Sequence, residues 1–589
     1  MRKFYITILL LIQVYMLSAQ TLGWQFGVAN YDYHNYGVQV AATIADRSKN
    51  VVIAGYTLGA DTTSGTDSTT FGTNTVYNLN NYQQLIVAKT DSLGNFIFVD
   101  ATQKTDAWPV NIAADTDGNI YLLGIYDSSN CRIGSYILNN PGYSLMYFLV
   151  KFSSSGTVLW AQNVAGQNAV SPYPLIYSGG LGTDASGNVY VAGSFNADSI
   201  VIGVDVMYNT SSTGTYDVFL ASYDSLGNNI WANTYGVDSN EYVSTMAVAN
   251  SGDVYLCGTF YDPSFMVGND TLIDSDALAG LPAGFIAKFD NNDNSVWAQS
   301  LSTYFSVNAA TTDDTGSVYI TGSISSSTSL GGYYLEDTNH HTLDVFVARL
   351  DSSGNVKWAN SAGGQNSDIA TSVSTDTAGN VWISGLMNMG VAYTATHYNM
   401  YFGDSVLTEP ILGIAPVFLA EYNKAGSYVT SLALASGGGT GNYCGIAVDN
   451  EGGFFLGGNY SHINMVFGSD TLLHTDIGQS AFIARYRYAF NLHDTVSDSF
   501  SQVNTIIARE PVIILFPNPA GTQCTISCDI LYPQGSRAEF YDMAGVLISS
   551  NSLSGNSTPI PTGNLSPGIY LCRTILPEYG TYTIKFIIE

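Results

Sequence analysis

This chain is short of charge. Only 11% of its 589 residues are charged, and the basic ones are rarest: 18 Lys and Arg against 47 Asp and Glu, a formal net charge of −29. Such a surface repels phosphate backbones, which argues against a nucleic-acid partner. Histidine is sparse too, with 7 copies, none at a repeated position. The 6 cysteines are scattered without zinc-finger or haem spacing, so no metal is implied and no disulfide pairing follows. Cys257 stands where related segments carry Ala, Leu, Thr or Ser and reads as a buried core residue. No run of 18 apolar residues follows the N-terminus, so no later membrane span is expected. There is no Walker-type loop, no His-Glu-x-x-His and no nucleophile elbow in a strand-turn-helix setting. No catalytic residue and no cofactor is implied.

What is present suits strands and turns. Gly is 59 and Tyr is 41, amid abundant Ser, Thr and Asn. Arg2 and Lys3 precede an apolar stretch, Phe4 to Leu17, with a plausible cleavage zone at Ser18-Ala19-Gln20. Residues 1–20 read as a secretory signal peptide, too short and wrongly flanked to span a membrane.

One motif returns throughout, a tight polar turn followed by a short apolar strand closed by glycine. The copies are Asp46–Gly55, Asp115–Gly124, Asp184–Gly193, Ala249–Gly258, Asp313–Gly322, Asp376–Gly385 and Asp449–Gly458. The closing glycines lie 69, 69, 65, 64, 63 and 73 residues apart. A near-constant period means repeated copies of one supersecondary unit. A second motif, Phe219 to Trp231, recurs as Phe148–Trp160, Phe285–Trp297 and Phe346–Trp358, with weaker versions at Leu85–Phe98 and Phe418–Thr430. In it an apolar strand meets an Asp-x-x-Gly turn, then a strand ending in Trp. Asp with Gly three later marks a type I turn closed by a left-handed residue.

Each unit therefore holds four antiparallel strands, and the connection from second to third carries a small Gly-centred hairpin such as Phe467-Gly-Ser-Asp-Thr-Leu. The seventh unit stops after its third strand, Phe482 to Tyr486, while the chain begins with an orphan fourth strand, Leu22-Gly-Trp24. The expected fold is all-β: a seven-bladed β-propeller over residues 21–487 whose N-terminal strand closes the last blade. The units resemble the bacterial β-propeller repeat family, whose pattern Asp344-Val-Phe-Val-Ala-Arg and Asp217-Val-Phe-Leu-Ala-Ser match in its middle element. That resemblance implies a fold and carries almost no chemistry. The tryptophans are also similar to those that dock blades in quinoprotein dehydrogenases, but nothing marks a quinone pocket.

Residues 488–510 read as a linker. From 511 to 589 about seven short strands suggest a small immunoglobulin-like β-sandwich. This segment resembles the C-terminal sorting domain of the type IX secretion system, on Phe516 with Pro517, Asn518 and Pro519, on Tyr541 to Gly545, and on Leu565-Ser-Pro-Gly568-Ile-Tyr570, with Lys585 near the end. The resemblance implies export in a Gram-negative cell, the secretion machinery as partner, and a secreted or outer cell-surface location.

Function is expected on the variable loops opposite the uniform turns. The longest run through Tyr56–Gln84, through Tyr173 and Tyr177, and through Tyr393, His397, Tyr398 and Tyr401. Tyrosines among hydroxyl and amide groups suit glycan or protein recognition, so these six residues are the candidate ligand-binding set. The densest titratable cluster, His340 and His341 with Glu336, Asp337 and Asp344, has no known ligand spacing and reads as a polar loop. The sequence thus points to an exported binding or scaffold protein. The alternative is an extracellular polysaccharide hydrolase or lyase with carboxylates on the variable face.

Overall fold

The computed structural model describes residues 23–32, 38–57, 67–78, 83–103, 105–142, 145–167, 179–211, 214–274, 281–338, 342–389, 399–408, 416–434, 444–449, 453–460, 465–467, 470–472, 480–487, 513–516, 522–528, 532–542, 546–555, 557–577 and 580–588. Among them there is no helix, and the chain divides into two compact units, Met1–Phe490 and Asn491–Glu589.

The first unit is built from four-stranded antiparallel sheets in sequence order. Gly180–Thr183, Val189–Phe195, Asp217–Tyr223 and Asn229–Tyr235 form one such sheet. Equivalent quartets begin at Val38, Ala107, Glu241, Phe305 and Ser367. The last sheet takes Cys444–Val448, Gly453–Tyr460 and Ser480–Arg487, and its fourth strand is Gly23–Asp32 from the other end of the chain. There Trp24 pairs with Tyr486 and Ala29 with Phe482. Second and third strands are buried on both faces: Val189–Phe195 and Asp217–Tyr223 have no exposed position. Fourth strands are half-exposed, as Asn229–Tyr235 is. The apolar runs therefore lie between neighbouring sheets, where Tyr121, Tyr147, Leu149, Val191 and Phe219 share one core cluster.

Each second-to-third connection carries the expected small hairpin, for example Ser199–Ile202 with Asp205–Tyr208. Two hairpins extend a neighbouring sheet's outer strand. Phe71 pairs with Asn30, and Tyr401 with Gly363. An outer strand is an unpaired edge, so these additions cover it.

The tryptophan does not end its strand. Trp231 lies near the start of Asn229–Tyr235, opposite Ser222, and the strand runs on to Tyr235. The reason is docking. Its indole Nε1 donates to Asn291 O in the next sheet's turn at 3.0 Å, so it must sit beside the turn end. Trp160, Trp297 and Trp358 donate likewise to Ser225 O, Ser352 O and Lys424 O.

Successive sheets are joined by further hydrogen bonds. Thr183 Oγ1 donates to Ala114 O, Val243 N to Ser194 Oγ, Thr312 Oγ1 to Val248 O, Asn308 Nδ2 to Ala370 O and Ile446 N to Ser372 Oγ. The last sheet returns to the first: Val40 N donates to Asn459 Oδ1 at 2.8 Å, and Arg485 Nη1 to Ser92 O at 2.9 Å.

The second unit has seven described strands in two antiparallel sheets, one of three strands and one of four. They share a core that includes Cys524, Ile526, Phe540, Tyr570 and Cys572. Cys131, Cys257, Cys524 and Cys572 are buried free thiols.

Candidate functional site

The two ends of the first unit differ in how they spend their polar groups. At the turn end, a leading Asp organises most of the loops. Asp184 Oδ1 accepts from Ser186 N and Asn188 N, while Oδ2 accepts from Asn188 Nδ2 and the Tyr190 hydroxyl. Gly187 closes the turn at φ 82°. In several sheets a cation from the third strand completes the arrangement. Lys89 meets Asp46 at 2.8 Å and also donates to Gly118 O and Ser154 O of the next sheet. Lys151 with Asp115, Lys288 with Asp253, Arg349 with Asp313 and Arg485 with Asp449 repeat the pairing. The loops Asp115–Asn119 and Asp290–Asn294 are such turns, with their carboxylates taken by amides. This end holds the sheets to one another. No His, Cys, Asp and Glu group among the described residues is arranged to hold a metal ion.

First strands of the sheets surround a cavity of about 430 Å³. Its wall is small and neutral, with Ala41, Ala113, Ser244, Asn308, Thr371 and Ala447 contributed by different sheets. No Asp, Glu, His, Lys or Arg is among the lining residues. The cavity can hold a small polar chain or water and offers no carboxylate pair for glycoside cleavage.

At the end opposite the turns, one crevice stands out. Tyr242 lies two residues along its strand from the lining residue Ser244. Its ring centroid is 5.2 Å from that of Tyr216, at the start of a strand in the preceding sheet, and 6.1 Å from that of Tyr261. Tyr216 and Tyr242 are half-buried and Tyr261 is 42% exposed. Each tyrosine has an acidic neighbour in sequence: Asp217 and Glu241, both buried, and Asp262, half-buried. Asp217 accepts from Thr210 N and Thr210 Oγ1, Glu241 Oε2 from Val237 N, and Asp262 from Ser239 N. Burial, with Asp217, Asp262 and Asp238 nearby, pushes the Glu241 carboxyl up to about 8. Glu241 Oε1, Thr215 Oγ1 and both amide atoms of Asn196 are buried without a hydrogen-bond partner. Sequence reading missed this crevice. Its signal was Tyr242 at the end of the loop Asp238-Ser-Asn-Glu241-Tyr242, where the matching loop Asn366-Ser-Asp368-Ile369 ends in isoleucine.

Of the sequence candidates, Tyr401 is 42% exposed on the hairpin strand Asn399–Phe402, opposite Val406 and beside an outer strand, at the rim and not at the cavity. Tyr173, Tyr177, Tyr393, His397 and Tyr398 lie outside the described residues. So do His340 and His341. Their former neighbour in the cluster, Asp344, is fully buried, accepts from Thr338 N and Thr338 Oγ1, and is pushed up to about 6 by burial.

In the second unit, Gly568 opens the strand Gly568–Leu576 opposite Ile588. Tyr570 is buried, and its hydroxyl donates to Ser566 O at 2.8 Å, which pins the Leu565–Tyr570 turn. Lys585 pairs with Leu571. Pro517, Asn518, Pro519 and Gly545 lie outside the described residues. Residues 514–589 match the family of secretion system C-terminal sorting domains. They are a type IX sorting domain. The sorting domain marks the protein for export, to be secreted or attached at the cell surface, and implies interaction with the secretion machinery. No helix among the described residues is long and apolar enough to cross a membrane.

Other likenesses are distant. The chain is 21% identical over 548 residues to an uncharacterized WD repeat-containing protein, L264, of Acanthamoeba polyphaga mimivirus, matching 79% of this chain and 38% of the relative. It thus spans well under half of that protein's length. Among solved structures, Sqt1 from Chaetomium thermophilum is 10% identical, with 80% of this chain and 100% of that one covered and a TM-score of 0.31. The Hadza microbial sialidase Hz136 is 9% identical, with 79% and 94% covered and a TM-score of 0.32.

Proposed function

We propose that the first unit is a closed seven-bladed propeller, displayed outside the cell as a binding or scaffold module for a glycan or a protein. The observation that carries this reading is the cyclic series of contacts between sheets. Each quartet bonds to the next, and the last returns to the first through Asn459 and Arg485. A ring whose turn end is consumed by its own ion pairs leaves the opposite end for partners. The sorting tail supports an extracellular setting for that partner. In this reading residues 1–20 are the signal peptide, 21–487 the propeller, 488–510 a linker and 511–589 an immunoglobulin-like sorting sandwich. Carboxylate chemistry at the axis has no support, since the cavity wall is neutral.

The test has two arms. Deleting residues 511–589 in a host with type IX secretion is expected to leave the protein inside the cell, by fractionation and blotting. The full-length exported protein is expected to bind on glycan arrays or to capture a surface protein. A purified, folded protein that binds neither would overturn the binding reading.

A further inference from the structure

We propose that Tyr216, Tyr242 and Tyr261 form a subsite for a pyranose sugar ring that carries no negative charge. The inference rests on the binding-module reading and names its site and ligand class.

Three observations carry it. First, these tyrosines combine a free hydroxyl with a partly open ring, whereas Tyr147 and Tyr223, whose hydroxyls also lack a partner, are buried. Tyr121, Tyr190 and Tyr319 donate their hydroxyls to the turn aspartates Asp115, Asp184 and Asp313. The hydroxyls of Tyr216, Tyr242 and Tyr261 make no hydrogen bond within the described residues, and their rings stay partly open beside the cavity mouth. Aromatic faces with unused hydroxyls bind the C–H face of a sugar while the hydroxyls meet its polar rim.

Second, the surrounding charge is of one sign. Asp217, Asp238 and Asp262 lie near enough to Glu241 to raise its carboxyl, and the segments Val237–Tyr242 and Tyr261–Asp262 carry no Lys, Arg or His. A uronate or a sulfated sugar would meet several carboxylates with no cation to offset them. A neutral or amino sugar supplies hydroxyl or ammonium donors, which carboxylates accept. Asp262, half-buried, is the partly open acceptor among them, while Glu241 Oε1, Thr215 Oγ1 and the Asn196 amide are buried polar atoms without partners.

Third, the molecule contains its own comparison. Between the next pair of sheets but one, the same frame recurs. Asp344 is held by Thr338 as Asp217 is by Thr210, and Asp368 N donates to Leu343 O as Glu241 N does to Tyr216 O. The carboxylate frame is therefore structural. The aromatic ledge is not part of it, because Leu343 and Ile369 stand where Tyr216 and Tyr242 do.

The experiment screens full-length protein on arrays of neutral, amino, uronate and sulfated oligosaccharides, then titrates the best ligand against variants by calorimetry. Tyr242→Ala and Tyr261→Ala are expected to weaken binding of a neutral or amino glycan at least about tenfold. Leu343→Ala, in the sister crevice, is expected to leave it unchanged. If Tyr242→Ala unfolds, the more exposed Tyr261→Ala and the hydroxyl-only Tyr242→Phe still decide the matter. Glycan binding that survives all three changes, or that is confined to anionic sugars, would overturn this subsite and leave the binding module standing. A protein that binds no glycan but captures a protein partner would also overturn the subsite alone.

Discussion

At residue scale, Glu421 is the informative exception. Five sister third strands place Lys89, Lys151, Lys288, Arg349 or Arg485 against a turn Asp and the sixth has Ser222 there, but here a second carboxylate, Glu421, faces Asp376. The carboxyl is buried, and burial first, then Asp376, pushes it up from 4.5 to about 7. The folded protein therefore holds a proton between about pH 4.5 and pH 7 that the unfolded chain gives up. Stability from this group is fully present below that window and is lost as pH rises through it. Glu421→Gln stays neutral throughout. It is expected to melt about 2–4 °C above the native protein near pH 8 and level with it near pH 4. Scanning calorimetry at both pH values checks this, and an offset independent of pH would contradict the assignment.

The same exception has a cause at element scale. The cations and tryptophans both reach for the third-to-fourth turn of the next sheet, as Lys288 and Trp297 both donate to Ser352 O. The last sheet has no such turn, because its fourth strand comes from the other end of the chain. The sheet before it accordingly carries neither feature. Glu421 replaces the cation, and Thr430 stands in the tryptophan position. The docked turns can be tested at Gly354, which sits at φ +85° with Gln299 Nε2 2.5 Å and the Trp297 indole 3.0 Å from where a Cβ would lie. Gly354→Ala is expected to cost about 1–2 kcal/mol for the left-handed backbone, and more for displacing the indole. Gly332, at φ +89° with nothing within 4 Å, isolates the backbone part. Denaturant unfolding should rank Gly354→Ala as the more damaging of the two.

For the whole molecule, the strand Gly23–Asp32 does what no local element can. It covers the edge of Ser480–Arg487 and joins the two ends of the repeat array. Without it that edge would present free amide and carbonyl groups. Deleting residues 23–32 while keeping 1–22 is expected to yield aggregates on size-exclusion chromatography and early proteolysis near the last sheet. A monomer with native melting behaviour would show that closure is dispensable.

Much of this architecture was legible in the chain. The Asp-x-x-Gly turns, the both-face-buried strands and the orphan first strand are local signals with a fixed period, and backbone sterics and side-chain alternation translate them directly into strands and turns. The sorting tail was legible for the same reason, as a fixed order of turn residues. The position of Trp231 within its strand was not, because docking against another sheet sets it. Nor was the crevice at Tyr242. Its tyrosines sit in or next to separate strands of two sheets, and only the packing of one sheet on the next brings them together. Whether a tyrosine hydroxyl is tied to an aspartate or left free depends on the neighbour it meets. A single chain does not write that neighbour beside it; the packing of one sheet on the next does.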